Sequence, residues 1–332
     1  MTAAGLLAAA TDAVARTVPA PIPGAAIGVV TAAGDRAVEV LGLAQSEPEP
    51  APMQRGTWFD LASLTKVLFT TPTILNHVAC GQIELDDPLI KAIPDLRQYD
   101  AGAAERRLTF RQCLSHQTHL PAVEPLYTYG LEPLTLRAFI LQRVWRDGPP
   151  VYSDINFMLL GIAIERIAGC SLRDIELPSG LAWGADPWNS AATERCTWRG
   201  RVVRGEVHDE NAYALGGAAG HAGLFGTIDG VLDAAQRLLQ GADPWVTEIR
   251  KRQSETRCLG WEARYEGWSG GNACSEDTIG HTGFTGTGTW IDFSRGVAWA
   301  LLTNRVHPTR HRNTGIDVLR RLTGDLIGNA AL

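Results

Sequence analysis

Strand-forming sequence occurs at both ends of this chain and is sparse in the middle. Residues 24–31 and 37–43 are apolar, and a turn with Gly34 and Asp35 separates them, which predicts a β-hairpin. Short segments with a strand pattern return near the C-terminus: 258–265, 278–282, 287–292 and 296–303. Helical patterns precede the hairpin, follow residue 64 and close the chain at about 313–326. We therefore expect one sheet that is built from the two chain ends.

The central part of the chain has mostly helical spacing, with long connections rich in proline and glycine. A sheet formed by the termini and a helical centre together predict an α+β fold. We assign residues 1–80 and 250–332 to the sheet domain and residues 81–249 to a mostly helical domain. A cleft between the two is the expected position of a functional site.

The composition argues against several classes of function. Hydrophobic residues make up 45% of the 332 positions and charged residues 20%, as in ordinary globular proteins. The net charge of −6 argues against binding to nucleic acid, and no apolar segment reaches the roughly 20 residues of a membrane helix. The first 20 residues lack the basic region of a signal peptide. We therefore expect a cytoplasmic protein, or a periplasmic one if the N-terminus was trimmed.

No sequence pattern indicates a metal or a cofactor. The six cysteines form no CxxC pair, and we expect reduced, mostly buried thiols, with disulfides as the alternative. Nucleotide-binding glycine motifs and HExxH are absent. His116 and His119 are three residues apart, but no carboxylate with metal-ligand spacing supports them, so we interpret them as capping or core histidines.

Ser63 and Lys66 form a Ser-x-x-Lys pair where a short strand meets the first long helix. Residues three apart share a helix face, so the two side chains can meet at the first turn. Free N–H groups at a helix N-terminus favour negative charge there, which suits a nucleophile whose attack creates an oxyanion. Only three of the 30 basic residues are lysines, and a lysine, unlike an arginine, can give up its proton. The alternative is that Ser63 is a simple helix cap.

Two later segments carry further candidate residues. Tyr152-Ser153-Asp154 precedes an apolar helix, and His281-Thr282-Gly283 ends a predicted strand and leads into Phe284. Glycine at such a place allows a substrate to approach the strand backbone closely. His221 lies among several glycines, and we favour a packed loop there over a cleft wall.

Taken in chain order, the Ser-x-x-Lys, Tyr-Ser-Asp and His-Thr-Gly motifs resemble those of the serine β-lactamase and penicillin-binding protein superfamily. The resemblance is closest to class C β-lactamases with their esterase and DD-peptidase relatives. The resemblance extends from about residue 24 to residue 326. It includes segments 59–62, 108–116, 207–211, 216–226 and 302–312. It implies a β-lactamase/transpeptidase-like fold, in which helices flank an antiparallel sheet and a helical domain is inserted.

The resemblance also implies roles for individual residues. Ser63 would be the acylated nucleophile, and Lys66 and Tyr152 would share the proton as a base pair. The backbone N–H groups of Ser63 and Phe284 would form the oxyanion hole. Arg312 matches an arginine that binds the substrate carboxylate in class C enzymes, although Thr309 replaces an asparagine near it.

Two positions depart from the class C pattern. Asp154 stands where those enzymes usually carry asparagine, and a carboxylate cannot donate a hydrogen bond to a substrate carbonyl. His281, next to Thr282 and Gly283, replaces a lysine that helps to hold the substrate carboxylate, which a neutral histidine does weakly. Both changes argue against strong β-lactamase activity.

The resemblance therefore implies a serine hydrolase that cleaves a small ester or amide through an acyl-enzyme. Carboxylic esters and peptidoglycan-derived peptides are both possible substrates. The alternatives are a β-lactamase or D-alanyl-D-alanine carboxypeptidase, and a non-catalytic binding protein of the same fold. We expect a small-molecule partner, no nucleic acid and no membrane. The sequence leaves the oligomeric state open.

Overall fold

The computed structural model describes residues 2–146 and 148–332. Its strands are β1 (Gly24–Thr31), β2 (Arg36–Gln45), β3 (Ala51–Pro52), β4 (Phe59–Asp60), β5 (Leu181–Trp183), β6 (Ala192–Cys196), β7 (Arg201–Arg204), β8 (Leu224–Gly226), β9 (Glu262–Ala263), β10 (Ile279–Thr282), β11 (Gly288–Asp292) and β12 (Val297–Thr303). Its α-helices are α1 (Ala3–Ala15), α2 (Thr71–Ala79), α3 (Phe110–Leu114), α4 (Pro133–Gln142), α5 (Asp154–Ala168), α6 (Glu210–Ala214), α7 (Ile228–Leu239), α8 (Val246–Ile249) and α9 (Ile316–Ala330). A π-helical turn, Lys66–Thr70, leads directly into α2.

The two chain ends form one sheet, as the sequence predicts. Within the described residues its order is β3-β2-β1-β12-β11-β10-β9, and every neighbouring pair is antiparallel. The register places Ala25 of β1 opposite Thr303 of β12 and Thr31 opposite Val297. Strands from opposite ends of the chain therefore lie side by side, and the α+β class is confirmed.

Helices cover both faces of this sheet, and alternate residues of β1 show the two layers. Ala25, Ile27 and Val29 pack in one apolar cluster with residues of α1 and α9. Ala26 and Val30 lie in the second cluster, with Val231 and Leu232 of α7 among its members. This alternation follows from the two-residue period of a strand. Both faces are dry, so β1 has an almost continuous run of apolar residues.

The central part of the chain contains more strand than the sequence predicts. β5 and β8 join β4 in a small sheet of order β4-β8-β5, and β6 pairs with β7. These strands have only two to five residues, too few for a strand period to be distinguished in the sequence. In addition, α7 lies in the range assigned to the helical domain, yet it packs on β1, β11 and β12. The domain limits at residues 80 and 250 stay a prediction.

The lengths of several terminal elements differ from the predicted ones. The helix expected before the hairpin is α1, which ends at Ala15, and the closing helix α9 extends to Ala330. The strand expected over 258–265 is reduced to Glu262–Ala263. All six cysteines are free, and all but Cys80 and Cys170 are buried. Within the described residues no helix is long and apolar enough to span a membrane.

The loop between α6 and β8 is pressed against α5 and the π-helical turn. The Thr70 hydroxyl donates to the Gly220 carbonyl at 2.6 Å. A Cβ on Gly220 would overlap the carbonyl oxygen of Phe157 and crowd the backbone of Gly161. Glycine is therefore required at position 220 by close backbone approach, and this contact holds the loop that carries His221.

We predict that Gly220→Ala lowers the free energy of unfolding by about 1–3 kcal/mol, because the added methyl group meets backbone that cannot move aside easily. The matched control is Gly56→Ala, at an exposed turn where a Cβ would meet nothing within 4 Å. That variant should stay within about 0.5 kcal/mol of the parent. Urea unfolding of the three proteins measures the difference, and equal effects of the two substitutions would contradict the packing argument.

Candidate active site

A cleft of about 450 Å³ opens where the helix after β4, the start of α5 and the end of β10 come together. Its lining residues are Ala62, Ser63, Tyr152, Asp154, His208, Asp209, Glu210, Ala222, Arg257, Glu262, His281, Thr282, Phe284 and Arg310. The three motifs singled out in the sequence therefore share one cavity, although they are far apart in the chain.

Ser63 lies in a tight turn between β4 and the helix. Ala62, just before it, has a φ of 48°, an uncommon backbone conformation for alanine. The Asp60 carboxylate accepts from the Ala62 N–H at 2.8 Å, and the Thr65 hydroxyl donates to the Ala62 carbonyl at 2.7 Å. Two side chains thus hold the strained residue in place, and Ser63 is presented to the cleft.

Lys66 begins the π-helical turn that follows. The Thr71 hydroxyl donates to the Lys66 carbonyl at 2.7 Å, as the wider π-helical turn permits. π-Helical turns of this kind occur often at functional sites. The lysine side chain is fully buried, whereas Lys91 and Lys251 are exposed at the surface.

The Lys66 ammonium has three oxygen neighbours from three parts of the chain. Nζ lies 2.9 Å from Ser63 Oγ, 2.8 Å from the Asp154 carboxylate and 3.3 Å from the His221 carbonyl. A buried ammonium is stable only when its donors are satisfied in this way. The Ser-x-x-Lys pair predicted from the sequence is therefore in hydrogen-bond contact.

Asp154 determines the charge state of this lysine. Burial by itself lowers the pKa of Lys66, but the Asp154 carboxylate and Tyr152 outweigh burial, and the pKa is raised above its ordinary value. A raised pKa keeps Lys66 protonated at neutral pH. In this site the lysine therefore acts as a fixed cation beside the serine hydroxyl.

Tyr152 lies in a group of nitrogen-bearing side chains. Lys66 Nζ is 4.9 Å from the centre of its ring and Arg257 Cζ is 5.1 Å from it. The rings of His116 and His281 are at 4.5 and 5.9 Å. A neighbouring cation stabilises a phenolate, and Tyr152 is partly exposed to the cleft. This arrangement suits a proton acceptor.

His116 supports Tyr152 from behind. Its Nδ1 accepts from the backbone N–H of Ser153 at 3.0 Å, and its ring is buried. Burial, and then the positive charges of Arg257 and Lys66, lower the pKa of His116 well below its ordinary value, so the ring is neutral. His116 is a core histidine here. In the described ranges no three His, Cys, Asp or Glu side chains are grouped for metal binding.

His281 is also neutral. Its Nδ1 lies 2.9 Å from the carbonyl oxygen of Thr282, and the ring is buried. Burial, and then the charges of Arg257 and Lys66, hold its pKa well below its usual range. The position that carries lysine in class C enzymes therefore presents no positive charge to the cleft at neutral pH.

The strand end that carries His281 is fastened to the serine turn. Hydroxyl groups of Thr285 and Thr287 donate to the carbonyls of Asp60 and Leu61, at 2.7 and 3.0 Å. A Cβ on Gly283 would lie only 2.5 Å from the Leu61 carbonyl oxygen. Glycine at position 283 thus lets the two backbone segments approach each other, and the close approach of a substrate at this glycine stays a prediction.

Two arginines that sequence reasoning missed hold the same loop from the other side. Arg320 of α9 is buried and donates to the carbonyls of Gly283 and Thr287, both at 2.8 Å. The Nε of Arg305 donates to the carbonyl of Phe284 at 2.9 Å. No local motif marks Arg320, since its partners are more than 30 positions away. The oxyanion role of the Ser63 and Phe284 N–H groups stays a prediction.

Arg312 does not line the cleft, contrary to the role that the resemblance implies. Its guanidinium contacts the backbone carbonyls of Pro21 and His307 instead. The arginines of the cleft are Arg310, which pairs with Glu194 and Glu210, and Arg257. The motif alone does not tell which arginine lines the cleft, because Arg310 and Arg312 lie in one irregular segment and contact different parts of the protein.

His221 belongs to a packed loop, the interpretation that the sequence favours. Its ring is buried, and Nε2 lies 3.0 Å from Asp209 Oδ1. His221 contributes to the site through its backbone, since its carbonyl accepts a hydrogen bond from Lys66 Nζ.

Comparison with known proteins agrees with this geometry. The Beta-lactamase family profile matches residues 11–322. An N-acetylmuramyl-L-alanine amidase of Bacillus subtilis (strain 168) is 29% identical, over 78% of this chain and 70% of that protein. A putative D-alanyl-D-alanine carboxypeptidase of Salmonella agona (strain SL483) is 31% identical, over 76% of this chain and 70% of that protein. The crystal structure of a class C beta lactamase from Rhodobacter sphaeroides superposes with a TM-score of 0.73 at 21% identity, covering 98% of this chain and 99% of that one.

We predict that Asp154→Asn moves the alkaline limb of kcat/KM, measured with a chromogenic ester, to lower pH. The carboxylate raises the pKa of Lys66, so its removal lowers that pKa, and the ammonium is lost at a lower pH. Asp86→Asn is the control, because Asp86 is an exposed carboxylate paired with Arg111 outside the cleft. An alkaline limb that stays in place in Asp154→Asn, or moves upward, would show that Asp154 does not set the charge of Lys66.

Proposed function

This chain belongs to the beta-lactamase family and is a serine hydrolase, and we propose that it cleaves an amide bond of small, peptidoglycan-derived peptides through an acyl-enzyme on Ser63. The observation that carries the proposal is the Lys66 ammonium, buried and shared between Ser63 Oγ and Asp154, at the edge of an open cleft. A serine becomes a nucleophile only when its proton has an acceptor and its developing charge has a partner.

Tyr152 is the proton acceptor that this geometry favours. Lys66 is held as a cation by Asp154, which leaves it poorly suited to accept a proton. Tyr152 lies next to the same ammonium and opens to the cleft. The same ammonium favours negative charge on the Tyr152 oxygen, which a proton acceptor needs.

The proposed reaction has two steps. Ser63 Oγ attacks the amide carbon as its proton passes to the Tyr152 phenolate. Tyr152 then gives that proton to the leaving nitrogen, the carbon–nitrogen bond breaks, and an ester to Ser63 remains. A water molecule then attacks this ester and gives a proton to Tyr152. Tyr152 passes that proton to Ser63 Oγ as the carbon–oxygen bond to Ser63 breaks, which releases the acid.

Charge on the carbonyl oxygen would be stabilised by the backbone N–H groups of Ser63 and Phe284. Arg320 and Arg305 support this part of the proposal as positioning residues, because they hold the carbonyls on either side of the Phe284 peptide. A donor that is already in place needs no rearrangement during the reaction, and an oxyanion hole stabilises the transition state for this reason.

The choice of peptide amides over β-lactams rests on His281, which is neutral, and on Asp154, which cannot donate to a substrate carbonyl. The amidase and the putative carboxypeptidase among the relatives support the same choice by their names. Family membership indicates an enzyme, against the alternative of a non-catalytic binding protein.

We predict that Ser63→Ala abolishes labelling by a fluorophosphonate and lowers turnover by about 10³–10⁶-fold. The wild-type protein should carry one adduct, located at Ser63 by peptide mass spectrometry. Ser294→Ala is the control, since Ser294 is exposed and outside the cleft. It should label normally.

The same proteins are then assayed with muramyl and D-alanyl peptides, a p-nitrophenyl ester and a chromogenic cephalosporin. Turnover of a peptide well above that of the cephalosporin supports the proposal. An adduct at another serine with Ser63 unmodified would overturn the nucleophile, and turnover of the ester alone would overturn the peptide substrate.

We also predict that Lys66→Arg is nearly as inactive as Lys66→Ala. Arginine keeps the positive charge, but its planar fork does not fit the three converging oxygens around Nζ. Kinetics of the two variants with the best substrate of the panel, together with melting temperatures, provide the comparison. Lys91→Arg, at an exposed position, is the control for the substitution itself. Near-normal activity of Lys66→Arg would mean that positive charge alone suffices at this position.

A further inference from the structure

Asp209 and His221 form a side-chain pair that the proposed mechanism does not use. His221 Nε2 is 3.0 Å from Asp209 Oδ1, and the imidazole ring is buried. Burial by itself raises the pKa of Asp209, but His221, the Ala212 N–H and Lys66 outweigh burial and hold that pKa well below its ordinary value. The Asp209 carboxylate is therefore ionised and can only accept, so the proton of this contact is on His221 Nε2.

Asp209 is also the N-terminal cap of α6. Its Oδ1 accepts from the Ala212 N–H at 2.7 Å, as well as from His221. Capping requires only a side-chain oxygen that a serine also supplies. The capping role therefore explains the position of Asp209 but not its contact with a buried histidine.

The backbone of His221 provides an oxygen to Lys66. Its carbonyl accepts from Nζ at 3.3 Å. His221 lies in a tight turn, in which Ala219 and Ala222 exchange backbone hydrogen bonds at 3.0 and 3.3 Å. The central residues of such a turn have little conformational freedom, so the ring and the carbonyl of His221 cannot move independently. The contact with Asp209 therefore restricts where the oxygen for Lys66 can lie.

The segment that carries Asp209 is itself tied to the serine turn. Asp60 accepts from the Ala62 N–H through Oδ1, and from the His208 N–H through Oδ2 at 2.6 Å. His208 immediately precedes Asp209 in the chain. One buried carboxylate thus joins the turn before Ser63 to the start of α6.

These contacts form a closed ring around the lysine. The ring runs from the serine turn through Asp60 to the start of α6, and from there through the Asp209–His221 pair to the turn at residues 219–222. Lys66 then leads back to Ser63, since Nζ is 2.9 Å from Ser63 Oγ. Members of a closed ring restrain one another from two sides, and loss of one contact removes one of the two restraints.

We propose that Asp209 and His221 are positioning residues, which fix the Lys66 ammonium relative to Ser63 Oγ through the carbonyl of His221. The inference rests on the proposed function, in which this cation supports attack by Ser63. The ring of His221 does not line the cleft, so its loss should slow acylation without weakening substrate binding. Displacement of a catalytic group by ~1 Å costs on the order of a hundredfold in rate.

Two substitutions of Asp209 separate the pair from the helix cap. Asp209→Asn keeps an oxygen for both Ala212 and His221, whereas Asp209→Ser keeps a cap on α6 with a side chain too short to hold the ring. The rate of Ser63 labelling by a fluorophosphonate and kcat for a p-nitrophenyl ester should both fall about ten- to a hundredfold in Asp209→Ser. Both should stay close to wild type in Asp209→Asn.

Glu132→Ala is the matched control, because it removes a carboxylate cap from the exposed start of α4. It should lower the melting temperature and leave both rates unchanged. Equal rates in Asp209→Asn and Asp209→Ser would overturn the proposal. This comparison also decides the matter if a substitution of His221 prevents folding, because both variants keep α6 capped.

His221 provides the second test. His221→Ala should lower kcat with little change in KM, and His221→Gln should regain most of the loss, since its amide N–H can replace Nε2. The double variant Asp209→Ser/His221→Ala should be no slower than either single variant, because the two residues act through one contact. His77→Ala, which removes a histidine from the surface of α2, is the control. Additive losses, a loss in KM alone, or equal losses in His221→Ala and His221→Gln would overturn the pair.

Failure of the inference can be told apart from failure of the proposed function. Melting temperatures identify the variants that are folded at the assay temperature, and peptide mass spectrometry locates the adduct. Wild-type protein that is labelled at Ser63, with unchanged rates in the Asp209 and His221 variants, overturns only the positioning role. Wild-type protein that carries no adduct at Ser63 overturns the proposed acyl-enzyme itself.

Discussion

The arrangement of the cleft depends on one buried charge, the Lys66 ammonium. An unpaired charge at this depth would cost several kcal/mol, so the surrounding chain has to supply oxygen atoms to it. Those atoms come from the serine turn, the N-terminus of α5 and the loop before β8. The ion therefore fixes the relative positions of three segments, and the close contact at Gly220 and the strained turn at Ala62 are the local adjustments that allow them to meet.

The second constraint is the sheet made by the two chain ends. Pairing of β1 with β12 carries the C-terminal strands to the side of β4, where Thr285 and Thr287 bind the carbonyls of the serine turn. Arg320 then fixes the outer side of the same loop from α9. The nucleophile and the proposed oxyanion donors are thus held by side chains from opposite ends of the sequence. The relative position of the serine turn and the loop after β10 depends on the whole fold, because each of these segments is irregular by itself.

Much of this could be predicted from the sequence, and what could not has a common physical cause. Runs such as Gly24–Thr31 specify their own strand through local pattern, and Ser63 with Lys66 specify their contact through helical spacing. The short strands β5 to β8 have no such pattern and form only because a partner is nearby. Arg257, Arg312 and Arg320 illustrate the same limit, since the contacts of a long side chain are decided by parts of the chain that are distant in sequence.

The charges in the cleft give a physical reading of the two departures from the class C pattern, which are Asp154 and His281. Asp154 gives Lys66 a carboxylate partner at 2.8 Å, which an asparagine at that position cannot do. Position 281 carries a neutral histidine in the wall next to Thr282, and the guanidinium carbon of Arg257 lies 5.1 Å from the centre of the Tyr152 ring in the same cleft. The cation of this part of the cleft is therefore an arginine beside Tyr152, and position 281 carries none. In the proposed mechanism, a cation beside Tyr152 stabilises the negative charge on which proton transfer from Ser63 depends.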